Sequence, residues 1–200
     1  MTKMEIRPFS IAAFILTVLA FIFVVVGFFL PQWWSINSVD TTSSYGLWIV
    51  SDCYYGDCII RSATQIQGGK EFLFVCKVFE TFGALLTVLA LILHVIYIAV
   101  RKPMIRSISI YCLGATGRST RSISIYCLGA TGLFLLLAVI IFGAKHQALG
   151  EEGQHVSIGA SFYISLLGGL LSGVAALLTA KASVEKAKRH DEEEDKTGVL

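Results

Sequence analysis

Pro31-Gln-Trp-Trp34, Tyr45-Gly-Leu-Trp48 and Cys53-Tyr-Tyr-Gly-Asp-Cys58 follow one another in the one part of this chain that reads neither as apolar span nor as charged tail. From Trp33 to about Glu71 β-forming residues (Ile36, Val39, Tyr45, Leu47, Ile49, Tyr54, Tyr55, Ile59 and Ile60) are set among Ser and Thr. That pattern predicts half-buried strands. Cys53 and Cys58 bracket a turn-forming tetrapeptide, so a hairpin closed by a disulfide is geometrically easy, with two free thiols as the alternative. Closing so short a loop removes little chain entropy, so such a bond would serve mainly to hold strand register. Trp33 and Trp34 stand where Trp anchors at a lipid–water boundary. Trp48 lies well inside the loop and is expected to be a buried anchor that fixes a small cap to the rest of the protein.

Working outward, the chain around this stretch is membrane-like. Of its 200 residues 55% are hydrophobic and 15% charged, too little polar surface to cover a soluble core of this size. Ser10 to Leu30 carries no charge and is long enough to cross a hydrocarbon core of roughly 30 Å. It is too long for a signal-peptide core, and no small-residue cleavage site follows it. Three more spans follow, giving residues 10–30, 78–100, 123–143 and 158–180. Lys3 and Arg7 precede the first span. Arg101, Lys102, Arg106, Arg118 and Arg121 separate the second and third, and Lys181, Lys186, Lys188, Arg189 and Lys196 follow the fourth. The other two loops hold only Arg61, Lys70, Lys77 and Lys145. The positive-inside rule then puts both termini (1–9 and 181–200) and the middle loop (101–122) in the cytoplasm. The loops 31–77 and 144–157 face outward, on the oxidising side where a disulfide persists. The tail 181–200, with its acidic run Asp191 to Asp195, is expected to be disordered.

Within lipid, helices associate through small residues. Gly83 in the second span, and Gly169 and Gly173 four apart in the fourth, are the expected packing positions, within one bundle rather than as a dimer seam. Arg106–Gly117 is repeated letter for letter as Arg121–Gly132. Two copies do not make a solenoid. The second runs into the third span, and the first, followed by Arg118 and Arg121, is expected in the cytoplasmic loop or on the membrane surface. Glu80 lies one helical turn from Lys77, which predicts an ion pair at the outer boundary. His94 is expected to bond to another helix. Cys112 and Cys127 are either palmitoylated or buried thiols. His146, Glu151, Glu152 and His155 share a loop without matching a metal-ligand spacing. Asn37-Ser-Val is not a glycosylation acceptor. No nucleophile–base pair, phosphate loop or metal motif is present, so neither an enzyme nor a cofactor is expected.

The combination resembles the claudin and peripheral-myelin-protein superfamily of four-span membrane proteins, as a divergent, claudin-like member. Trp33, Gly46, Leu47, Trp48, Cys53 and Cys58 occupy the signature positions in order. Lys77 stands where claudins usually carry Arg at the outer end of the second span, with Gly83 six residues on. Gly159-Ala-Ser-Phe-Tyr163 also looks like the family's entry into the fourth span. The resemblance covers nearly the whole chain apart from the first repeat copy. It implies an all-α membrane protein: a left-handed four-helix transmembrane bundle with a small extracellular antiparallel β cap, whose last strand comes from the second outer loop. It also implies a plasma-membrane protein of cell–cell junctions, associating with itself or related four-span proteins in cis and in trans to restrict paracellular passage. Two other branches use the same scaffold, as an auxiliary subunit of a channel or receptor and as a peripheral-myelin-like membrane organiser. This chain departs from the pattern in three places. Its two cysteines are closer than in typical claudins. The position after the second cysteine, which bears on charge selectivity in pore-forming claudins, is Ile59, and Asp52, Asp57 and Arg61 around it nearly cancel. The C-terminus lacks the Tyr-Val ending of many claudins, so entry of Leu200 into a PDZ groove is only weakly implied.

Overall fold

The computed structural model describes residues 8–37, 41–54, 57–63, 71–100, 116–150 and 155–197. It is mostly helical. Four long helices, α1 (Pro8–Phe29), α2 (Glu71–Val100), α3 (Thr116–Lys145) and α4 (Ala160–Thr197), pack α1 on α2 and α4, and α3 on α2 and α4. Each contains a stretch long and apolar enough to cross a membrane: Phe9–Phe29, Glu71–Ile96, Ser122–Leu149 and Ala160–Glu185. The protein is therefore a multi-pass membrane protein. Large side chains such as Ile15, Leu85, Leu133 and Leu177 lie on the outside of the bundle, as expected where lipid is the solvent. Small and polar residues occupy the inside instead, among them Ala20, Ala90, Ala138, Ala175, Thr17, Thr87, Thr131 and Ser172.

Hydroxyls within the helices are satisfied locally. Thr17, Thr81, Thr87, Thr131, Ser172, Thr179 and Ser183 each donate to the carbonyl four residues back. In a medium without water that bond removes most of the cost of a buried hydroxyl. Cross-helix contacts add to them, among them the Thr87 and Thr131 hydroxyls at 3.5 Å. The Thr131 hydroxyl reaches Gly83 O on α2 at 3.4 Å, and Ser124 Oγ lies 2.9 Å from His94 Nδ1, the inter-helix bond expected for His94.

One end of the bundle carries a five-stranded antiparallel sheet in the order β4-β3-β2-β1-β5. Its strands are β1 (Trp34–Asn37), β2 (Thr41–Tyr45), β3 (Ile49–Tyr54), β4 (Asp57–Ser62) and β5 (Val156–Ile158). The last strand comes from the α3–α4 connection, where a short 3-10 turn (His146–Leu149) precedes it, and β5 pairs with β1 through Trp34↔Ile158 and Ile36↔Val156. The hairpin expected at the cysteines is present: Cys53 and Cys58 are opposite one another across β3 and β4 and form a disulfide.

The helices outrun the expected spans. The second begins at Glu71 rather than 78, so Lys77 lies in its second turn. The third begins at Thr116 rather than 123, taking in the joining segment 118–120; the first repeat copy up to Ala115 lies outside the described residues. Spans were bounded by hydropathy, whereas a helix propagates into water wherever the residues favour it. The same reason accounts for the tail. Expected to be disordered from 181, it continues as helix to Thr197. Its Ala, Lys, Arg and Glu residues are good helix formers, and Lys188 is followed by Glu192 at the i,i+4 spacing. At the other end of α4 the expectation was too generous, because Ile158 belongs to β5. Gly159 holds that boundary: a Cβ there would run into the carbonyl of Gln32. Its N–H donates to Trp33 O at 2.9 Å, and the Ser161 N–H donates to Gln32 O at 3.0 Å.

Gly159→Val is expected to lower stability by about 1–3 kcal/mol, the usual range for forced overpacking, and to loosen the seat of β5. Thermal unfolding of the purified protein in detergent checks this, and an unchanged midpoint would contradict the close approach.

Candidate functional site: the sheet and its seat on the bundle

Trp33 is the residue through which the sheet is seated. It is fully buried, and its indole N–H donates to Gly27 O of α1 at 3.0 Å. Its ring meets Phe142 of α3 and Phe162 of α4 edge-on, with centroids 5.2 and 6.2 Å apart. Its backbone N–H donates to Tyr45 O, and its carbonyl accepts from Gly159. One side chain and its peptide groups thus join three helices and two strand connections. Trp34 beside it stacks on Tyr45 at 5.1 Å and also leans on Phe142. Leu47 fills the same layer with Leu73, Cys76 and Val139. Gly46 brings the β2–β3 turn against the end of α1, where a Cβ would come within 2.7 Å of Leu30 O and Pro31 Cα. The motif residues Trp33, Gly46 and Leu47 are therefore structural parts of one seat.

Trp48 differs from its expected role. It is 37% exposed rather than buried. Its ring lies 5.3 Å from Phe28 of α1, and the Lys77 ammonium of α2 lies 5.2 Å from its centroid. It grips the bundle at the rim through an aromatic contact and a cation–π contact, while Leu47 supplies the buried anchor. The expected Lys77–Glu80 ion pair is not formed, because Lys77 is turned to Trp48. Glu80 is fully buried in the bundle. Its carboxyl faces the Ser165 side chain of α4, yet neither of its oxygens nor the Ser165 hydroxyl reaches hydrogen-bonding geometry with any described residue. Gly27 leaves room for that hydroxyl, since a Cβ at position 27 would collide with Ser165 Oγ.

The expected packing glycines divide. Gly83 faces Leu135 of α3, and Gly169 lies against Leu135 and Gly132. Gly173 is approached by Gly132 through its backbone, but its own Cβ position opens on free space. Cys127 is a buried free thiol; Cys112, Glu151, Glu152 and Leu200 lie outside the described residues. His146 Nδ1 donates to Gly143 O at 2.8 Å, and among the described residues no cluster of three or more metal-ligating side chains forms.

Away from the seat, the far side of the sheet is bare. All six residues of β4 are exposed, and among the described strands β3 is its one neighbour. Ile59 and Ile60, expected to be half-buried, are 60% and 70% exposed. As neighbours on a strand they point to opposite faces, so both faces of the edge are apolar there. Tyr54 at the end of β3 is 57% exposed. The one ion pair among the described residues, Arg61 to Asp52 at 3.1 Å, spans β4 and β3 on this surface. The hydrophobic alternation that predicted strands carried no information on how far the bundle extends beneath them, which is why β4 was expected to be half-covered.

No protein-family model matches the chain, and no curated protein matches it.

Two substitutions separate the seat from the rim. Trp33→Ala is expected to cost about 3–5 kcal/mol, the range for truncating a buried aromatic, whereas Trp48→Ala is expected to cost no more than about 1 kcal/mol; comparable losses in detergent melts would refute the division. Glu80→Gln keeps the shape and removes a carboxyl that no described group bonds, so the melting temperature is expected to hold or rise. A loss of more than about 2 kcal/mol would reveal a partner for the carboxylate.

Proposed function

We propose that this protein is a claudin-like structural protein of cell–cell contacts. In this reading the bundle lies in the plasma membrane with both termini cytoplasmic, and the sheet stands outside. Copies of it, or related four-span proteins, associate side by side in one membrane and head to head with those of a neighbouring cell, and so restrict paracellular passage. The observation that carries the reading is β4: an exposed strand that, among the described strands, pairs with β3 alone, with apolar side chains on both faces and a disulfide to β3. Monomeric proteins normally blunt such an edge with charge, proline or a covering segment, and a bare one is a surface for strand addition or for packing against another protein. The arrangement of Trp33, Gly46, Leu47, Trp48 and the Cys53–Cys58 bridge, and the fifth strand contributed by the second loop, support the claudin-like assignment. The near-cancelling Asp52 and Arg61, with Ile59 beside them, favour a barrier over a strongly ion-selective pore.

The test is expression of the tagged full chain in non-adherent cells without junctions, imaged where two cells touch. Enrichment is expected where both cells express the protein and not where only one does. Ile59→Glu together with Ile60→Glu should abolish the enrichment while surface delivery persists. Uniform surface label of the unsubstituted protein at such contacts would overturn the reading.

A further inference from the structure

Each strand of the sheet has one end at the bundle. Ile158, Trp34, Tyr45 and Val50 form one row across β5, β1, β2 and β3, and Arg61 continues it on β4. Trp34 and Val50 are buried there, β1 follows α1, and β5 leads into α4. Away from that row the cover is lost: along β3 exposure rises from 1% at Val50 to 57% at Tyr54. The strands therefore run outward from the bundle, and β4 returns along one side of the sheet, from Asp57 at the far end to Ser62 beside the seat.

Backbone hydrogen bonding on that side has a fixed phase. The Ala63 N–H donates to Trp48 O at 2.9 Å, one step past the pair Ile49↔Ser62 in the β3–β4 register. Hydrogen-bonded and non-hydrogen-bonded pairs alternate in an antiparallel ladder, so Arg61 and Ile59 bond to β3 while Ile60 and Cys58 do not. The Cα atoms of Cys53 and Cys58 are 4.1 Å apart, the close approach of a non-hydrogen-bonded pair. Cys58 and Ile60 thus turn their N–H and C=O groups away from β3, to a side on which no described strand lies.

A second copy of the chain fits this edge in one register. Opposite residues in an antiparallel ladder point to the same face, so a two-fold axis relating two β4 strands passes between a residue and its own copy. About Ile59, Cys58 meets Ile60 of the second copy and Ile60 meets its Cys58, which brings the outward N–H and C=O groups into hydrogen-bonded pairs. Ile59 then meets Ile59, and Asp57 meets Arg61 at both ends, on the closely spaced pairs. Asp57, Ile59 and Arg61 share one face of β4, and all three are exposed. The Arg61 guanidinium lies 3.1 Å from Asp52 with its side chain 58% exposed, so it has donors left for a second carboxylate. Centring on Ile60 instead sets Arg61 against Ile59 and leaves Asp57 opposite Ala63. Centring on Arg61 sets like charges together, and centring on Cys58 sets Asp57 against Ile59.

The strand direction also decides which membranes are joined. In each copy β4 meets the bundle at its Ser62 end, so an antiparallel pair puts the two bundles at opposite ends of the strands, in membranes that face each other. We propose that β4 pairs with β4 of a second copy in the opposed membrane, antiparallel about Ile59, with Asp57 against Arg61 at both ends. This rests on the adhesion reading above and names its partner and register. The two sheets become one, and the length of β4, six residues or roughly 20 Å, sets the gap between the membranes.

The test uses the full chain reconstituted in two phosphatidylcholine vesicle populations that carry different dyes, with docking read as two-colour coincidence. Unsubstituted protein in both populations is expected to dock them. Asp57→Lys in both, or Arg61→Glu in both, sets like charges together at each end and should reduce docking roughly tenfold. Asp57→Lys in one population and Arg61→Glu in the other restores opposite charges at both ends, and docking should return. Ile59→Cys in both should give a disulfide-linked dimer on mild oxidation of docked vesicles. Docking that neither charge substitution weakens would overturn the strand pairing and leave the adhesion reading standing. So would docking that the mixed populations fail to restore and Ile59→Cys fails to trap, or a linked dimer formed equally in undocked vesicles. Absence of docking by the unsubstituted protein would overturn both.

Discussion

The structure depends on one fully buried indole. Trp33 sits where α1 ends, and its N–H takes the carbonyl of Gly27, which lies close enough to the end of the helix to lack an intrahelical partner. Its ring closes the space between α3 and α4 at Phe142 and Phe162, and its peptide groups hold Tyr45 and Gly159. In lipid there is no hydrophobic force to drive one helix onto another, so the end of a bundle needs specific contacts to close it. Trp33 supplies them, and in doing so fixes where the first strand begins. From that point β1 is held between β2 and β5, Gly159 can pass beside Gln32, and α4 enters the bundle packed against α1.

Such an arrangement explains why some motif residues can be exposed and others cannot. Gly46 and Leu47 belong to the seat and are held by close approach and burial. Trp48, the next residue, turns to the rim, where its ring rests on Phe28 and takes the Lys77 ammonium. β4 is exposed along its length, and it is held to β3 by the ladder, the Cys53–Cys58 bridge and the Arg61–Asp52 ion pair. Rigidity at an exposed apolar edge would lower the entropy lost on the association proposed for it.

The sequence alone carried much of this. Unbroken apolar runs marked the four helices because lipid requires length and apolarity and little else, and the alternating β-formers between Trp33 and Ile60 marked the hairpin. The bond from His94 to Ser124 was foreseeable as well, since a polar side chain at membrane depth must find a partner in another helix. Three things were not legible. Helix ends in water follow local propensity and not hydropathy, so α2, α3 and α4 run past their spans. Whether Trp48 or Leu47 is the buried anchor depends on the path of a turn that Gly46 sets. Lys77 had two possible partners, Glu80 one helical turn along α2 and the Trp48 ring, and only the placement of the sheet decides between them. The bareness of Ile59 and Ile60 belongs to the same class, because burial of a strand depends on what lies beneath it.

The central claim is that this bare edge is where the protein meets its partners. Hydrogen exchange on the full chain, reconstituted in vesicles and compared between dispersed vesicles and vesicles brought into contact, tests it most directly. The account predicts slowed exchange at the amides of β4, Asp57 to Ser62, when protein-bearing vesicles dock, and no change when only one of the two vesicle populations carries protein. Docking with β4 exchanging at its original rate would contradict it.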